Sequence, residues 1–244
     1  MTPTSLHFVH YIPIATTLLS AIFAAILFRR YALKRTGPHL LWWGFGMISY
    51  GLGTGLESAV TLFGNSVALT KAWYIAGALL GGYPLAQGSV YLLLKRRLAN
   101  VLTAITVPFI VIFSLLVVLS PANLDALESF RPGGAVLGWS WIRLFTPIIN
   151  SYAVLFLVGG AFLSAWRYWK SRAPGHGQRA IGNVFIAVGG ILPGIGGIMA
   201  KSGMVEGLYI GEFAGLLLMW AGFAFNIRAK LPAAPPAMAV PAKA

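Results

Sequence analysis

The chain contains no cysteine, which excludes disulfides, thiol chemistry and cysteine-held metals. Charge is scarce: Asp, Glu, Lys and Arg together make up 9% of the 244 residues, against about a quarter in soluble domains. Only five residues are acidic. The opening MTPTSLHF has no basic residue before the first apolar run, so a secretory signal peptide with its positive n-region is not expected. His7 and His10 stand three apart, while His39 and His176 have no partner at metal-ligand spacing. Two histidines alone do not make a metal site. Nor is there a nucleophile–base set, or a pair of carboxylates on one helix. These gaps point away from an enzyme and from any bound metal or cofactor.

What is present is apolar. Hydrophobic residues make up 58% of the chain and the mean hydropathy is +0.79, values that fit a polytopic membrane protein. Seven apolar segments stand out, at about 8–28, 41–64, 70–94, 101–119, 139–166, 180–200 and 207–227. A spanning helix needs about 20 such residues. The predicted fold is an all-α membrane protein, a seven-transmembrane-helix bundle formed by residues 1–230, followed by a disordered Ala/Pro-rich tail over 231–244. Pro13 falls in the first turns of its segment, where proline is tolerated. Pro84 is expected to kink the third segment. The fourth, made mostly of Val, Ile, Leu and Phe, is expected to face lipid more than its neighbours. Residues 121–138 form the one substantial loop, with a Pro132-Gly133-Gly134 turn.

Basic residues alternate with the segments. Fourteen of the eighteen Lys and Arg fall on one side, counting the tail. The other side holds Lys71, Arg131, Arg143 and Lys201, with all five acids: Glu57, Asp125, Glu128, Glu206 and Glu212. The positive-inside rule then sets the N-terminus outside and the C-terminus in the cytoplasm. The net charge of +13 thus reads as an orientation signal that also attracts anionic lipid heads, and not as a nucleic-acid surface.

The second segment, LWWGFGMISYGLGTGLESAVTLFG, organises the rest. Trp42 and Trp43 suit the lipid–water boundary. Ser49/Gly53 and Gly51/Gly55 are small-xxx-small pairs that let another helix come close. The glycine faces of this segment and of the glycine-rich sixth and seventh segments are expected to contact each other or another chain. No strand precedes these glycines, so a phosphate-binding loop is excluded. Glu57 and Glu212 each lie about one and a half turns from the outer ends of their helices, at similar depth. Together with Lys71, Tyr74, Arg143 and Asn150 they are the candidate ligand-binding residues, and His10, Tyr152 and Lys201 are near enough in depth to add to them. Two readings compete. One is an outward-facing pocket for a polar or amphipathic ligand, or a proton-sensitive cluster, since intramembrane carboxylates are site candidates. The other is a set of salt bridges that fix helix order, with Glu57 paired to Lys71, Arg143 or Lys201. A microbial rhodopsin is excluded because 207–227 holds no lysine, and no Pro-Gln motif occurs.

YGLGTGLES (50–58), TKAWYIAGALL (70–80), RPGG (131–134) followed by tryptophans, RAIGNVFIAVGGILPGIGGIMAKSG (179–203) and the closing NIR (226–228) together resemble a known family. It is the seven-helix N-terminal sensor domain of bacterial membrane histidine kinases and related signalling proteins. The resemblance covers about residues 40–228. It implies a non-enzymatic input module in the bacterial cytoplasmic (inner) membrane, passing a signal through its last helix. Sixteen residues follow Arg228, too few for an output domain. The expected partners are therefore membrane lipids, a separate membrane or cytoplasmic signalling protein, or further copies of the chain. A small transporter or channel is a rival expectation, which needs a polar path through Gln87, Asn183 and Asn226. A structural subunit of a larger membrane complex is another.

Overall fold

The computed structural model describes residues 8–34, 37–171 and 173–229; the expected tail over 231–244 lies outside them. A 3-10 turn, Phe8–Tyr11, leads into α1 (Ile12–Lys34), followed by α2 (Pro38–Phe63), α3 (Val67–Trp73) and α4 (Tyr83–Leu93). Then come α5 (Arg96–Leu119), α6 (Thr146–Ala153), α7 (Gly160–Lys170), α8 (His176–Lys201) and α9 (Val205–Arg228). Among the described residues there is no strand, only two isolated bridges in and beside the long loop, Ala122 with Leu137 and Glu128 with Arg131. Five stretches are long and apolar enough to cross a membrane: Phe8–Lys34, Arg96–Leu119, Ser140–Lys170, His176–Lys201 and Val205–Arg228. The chain is a helical, multi-pass membrane protein.

Two expected spans are not among these five: α2 carries small and polar residues that it buries against protein, and the third segment breaks into α3 and α4, of 7 and 11 residues. Helix α2 lies at the centre. It buries Leu40, Gly44, Met47, Tyr50, Thr54, Glu57, Val60 and Thr61 among others, packing on α1 along one side and on α4 and the stretch after α3 along another. Helix α4 is buried continuously from Tyr83 to Val90. Helices that meet protein on most sides need not be apolar all round, because lipid-facing neighbours carry that burden. Helix α5 is at the opposite extreme: only 17% of its span is buried, the lowest share of the five, and Ile105, Val111, Ile112, Leu115 and Val118 point outward.

The third segment breaks where a kink is expected. After α3 the chain widens into a π-turn, Tyr74–Leu79, and Leu80 N–H donates back to Ile75 at 2.9 Å. Gly81 and Gly82 follow, and Pro84 sits in the first turn of a new helix, α4. Proline lacks the N–H that a helix interior requires but is tolerated at a helix start. The break brings two backbones together: a Cβ on Gly53 would lie 3.2 Å from Gly77 Cα. Ser49 Oγ donates to the Ala76 carbonyl at 3.0 Å.

The glycines of α2 therefore do not meet α8 or α9, as was expected. Gly51 and Gly55 face Ser20 and Thr17 of α1, Gly53 faces the π-turn, and Gly46 faces Leu85 of α4. The tightest seam in the bundle is α8 against α9, an antiparallel ladder of glycines: Gly182 with Gly222, Gly189 with Gly215, Gly196 with Gly207. A Cβ on Gly189 would stand 2.6 Å from the Gly215 carbonyl oxygen, and one on Gly215 the same distance from that of Gly189. Contact of backbone with backbone leaves no flexible side chain to yield. Gly189→Ala should cost about 1–3 kcal/mol by overpacking, seen as a lower melting temperature in detergent. Gly194→Ala, whose added methyl meets nothing within 4 Å, should melt with the parent.

Candidate functional site

Helix α2 carries Glu57 in its second half, and α9 carries Glu212 near its start. The two helices approach at this level through Tyr50, whose phenol donates to the Glu212 main-chain carbonyl at 2.8 Å. The side-chain carboxyls then face each other within hydrogen-bonding range. Glu57 is 1% exposed. Its Oε1 accepts the indole N–H of Trp73, at the end of α3, at 2.8 Å. The second oxygens, Glu57 Oε2 and Glu212 Oε2, are buried and meet no donor. Tyr209, one turn before Glu212 and 1% exposed, packs nearby, and the edge of the His10 ring meets it at 5.8 Å.

The expected ion pairs of Glu57 do not form. Among the described residues the one ion pair made by a lysine or arginine joins Arg131 to Glu128 within the long loop. Lys71 points elsewhere: its ammonium donates to the carbonyls of Val118 and Ser120 at 2.8 and 2.6 Å. These belong to the last turn of α5, where carbonyls have no partner within the helix, so Lys71 serves as a cap on a neighbouring helix. Arg143 is exposed and reaches only the Ser140 carbonyl, at 3.4 Å. The Tyr74 hydroxyl bonds Thr146 at 2.6 Å, with its ring against Gly134. Asn150 lies exposed on α6. Of the six candidates, the structure brings together Glu57 and Glu212. Tyr74 and Arg143 both border Gly134 of the loop, while Lys71 and Asn150 stand apart.

Further polar groups matter. Trp73, which the sequence offers only within the TKAWYIAGALL stretch, is the donor to Glu57. Asn65 ties the α2–α3 turn to the long loop: its Nδ2 donates to the carbonyls of Glu128 and Arg131, and its Oδ1 accepts from Ser66 N–H and Thr70 Oγ1. Arg131 in turn donates to the Ala200 carbonyl at the end of α8, so the loop spans that end of the bundle. Gln87, fully buried, donates to Thr103 at 2.6 Å and accepts from Tyr152 at 2.5 Å. Its bonds join α4, α5 and α6. Asn183 likewise bonds Asn226 across the α8–α9 seam at 3.2 Å.

An apolar cavity of about 50 Å³ lies between the helices nearer the other end, lined by Phe23, Leu27, Met47, Leu85, Met219 and Phe223 among others. Organic ligands occupy sites of roughly 300–1,000 Å³, so this void is a packing defect rather than a ligand site. Comparison of the chain with protein-family models, curated proteins and solved structures gave no match. The geometry of the carboxyl pair yields a direct expectation. Trp73→Phe leaves Glu57 Oε1 without its donor and should destabilise the fold by about 1–3 kcal/mol. Glu57→Gln should not: its amide carbonyl keeps the Trp73 bond, and its NH₂ supplies Glu212 with a donor. Thermal unfolding in detergent should rank Trp73→Phe below the parent, and Glu57→Gln level with it or above.

Proposed function

We propose that the chain is a non-enzymatic sensor module of the bacterial cytoplasmic membrane. In this reading it is a seven-span bundle with the N-terminus outside, signalling through a separate membrane or cytoplasmic protein, or through its own oligomer. The observation that carries the reading is the meeting of Glu57 and Glu212 with no lysine or arginine between them. Salt bridges that merely fix helix order require cations, and none pairs with either acid among the described residues. A carboxyl pair kept inside a bundle at a cost to stability is better explained as a site than as a fastener. The resemblance to kinase input domains agrees with it, since the residues that carry the resemblance include Glu57 and Trp73. Helix α9 holds one carboxyl of the pair and runs without a break to Arg228, so a change at the site would travel along it. A transporter is less well supported, because Gln87 is engaged with Thr103 and Tyr152, and Asn183 with Asn226, rather than strung along an open path.

In this reading, with seven spans and the lysine and arginine excess on the cytoplasmic side, the loop 121–138 lies outside. A peptide tag inserted at Gly133 should be labelled by an impermeant reagent on intact cells; labelling only after permeabilisation would contradict the orientation. Sensing is tested separately. The chain has no cysteine, so spin labels can be set at exposed Phe63 and Met204, which flank the site on α2 and just before α9. A sensor should show a change in this distance on passing between two conditions of the outer solution, such as pH or salt. One unchanging distance in all conditions would count against the reading.

A further inference from the structure

Resting on the sensor reading of the same site, we propose that Glu57 and Glu212 form a proton-binding site, with one proton held between their facing oxygens. The observations are the two carboxyls within hydrogen-bonding range, the enclosure of Glu57, and the two orphan oxygens, Glu57 Oε2 and Glu212 Oε2. Two carboxylates are acceptors only and cannot bond each other; one protonated member supplies the missing donor and satisfies both oxygens at once. Like charges this close also disfavour double ionisation. A second observation lies outside the pair. Thr61, one turn further along the same side of α2, is 5% exposed, and its Oγ1 has no partner. Its hydroxyl can both accept and donate a proton, and it stands between Glu57 and the loop end of the bundle.

The groups facing the pair fit this assignment. From α2, Tyr50 spends its proton on the Glu212 carbonyl. From α3, Trp73 donates to Glu57 Oε1, leaving Oε2 as the oxygen without a donor. From α9 come Tyr209 and, nearer the helix start, Glu206; from the opening turn, the ring of His10 at Tyr209; and from the loop, Arg131, held by Glu128 and the Ala200 carbonyl. Loss of the proton leaves two facing negative charges, which push α2 and α9 apart. Protonation draws them together. The linkage has one sign: closure holds at low pH and is lost as the outer pH rises.

Infrared spectroscopy of the full chain in lipid nanodiscs reads this directly, and five acids keep the carboxyl region simple. At neutral pH the C=O stretch of a protonated carboxyl should be present. It should move on ¹³C-carboxyl labelling of glutamate, vanish at alkaline pH, and be missing from Glu57→Gln and Glu212→Gln. The labelled parent alone suffices if either variant fails to fold. Absence of the band from the folded parent at neutral pH, its persistence in both variants, or its appearance only when sodium is removed would overturn the proposal. A band that titrates while the Phe63–Met204 distance stays fixed upholds the proton site and removes the sensor reading. A distance that responds to another solute, with no such band, does the reverse.

Discussion

Glu57 and Glu212 meet inside the bundle, and among the described residues neither is paired with a lysine or arginine. Were both ionised, two full charges about 4 Å apart would repel by about 4 kcal/mol at an effective dielectric near 20. That is a large share of the roughly 5–15 kcal/mol by which a domain is stable. The rest of the site can be understood as managing this. Trp73 donates to Glu57 Oε1, Tyr50 ties the two helices together through a main-chain carbonyl rather than through the acids, and the π-turn after α3 follows directly on Trp73. The glycine contacts of α2 with α1 and with the π-turn let Glu57 sit deep in protein rather than against lipid.

The remaining helices divide the work. Helices α8 and α9 are joined by glycine backbones along their length, and Phe23 of α1 packs on Trp220 and Phe223 of α9, so α9, which bears Glu212, is held by α8 and α1 and only locally by α2. Helix α5 and the outer faces of α1 and α6–α7 present apolar side chains outward. Polar groups elsewhere are bonded within the bundle: Gln87 through Thr103 and Tyr152, Asn183 with Asn226, Lys71 at the end of α5. Among the described residues, Glu57 and Glu212 are the two acids whose buried oxygens lack a donor, beside unpartnered atoms of Ser20, Thr61, His176 and Arg179.

Much of this was legible in the sequence. Length and hydropathy led to seven expected spans, of which five are continuous helices long and apolar enough to cross a membrane, and the similar depth of Glu57 and Glu212 follows from counting turns. The close approach at Ser49 and Gly53 was announced by their spacing, although spacing cannot name the partner, and the helices that Gly51 and Gly55 meet were expected to be others. The ion pairs of Glu57 were misjudged because opposite charge at similar depth says nothing of direction: Lys71 lies one helix away but turns toward the open carbonyls of α5. Trp73 was hidden because a tryptophan near a membrane boundary needs no other explanation. The break before Pro84 differs from a kink only because Gly81 and Gly82 precede it and let the helix restart.

The central claim is that the two carboxyls interact directly, and a double-mutant cycle tests it most directly. Unfolding free energies of the parent, Glu57→Gln, Glu212→Gln and the double variant would be compared under one set of conditions. Direct contact predicts a coupling of about 0.5–3 kcal/mol, the range found for touching residues, because either single change already removes the carboxyl–carboxyl contact that the second would remove. Additivity within roughly 0.3–0.5 kcal/mol, as for residues that do not touch, would contradict the account.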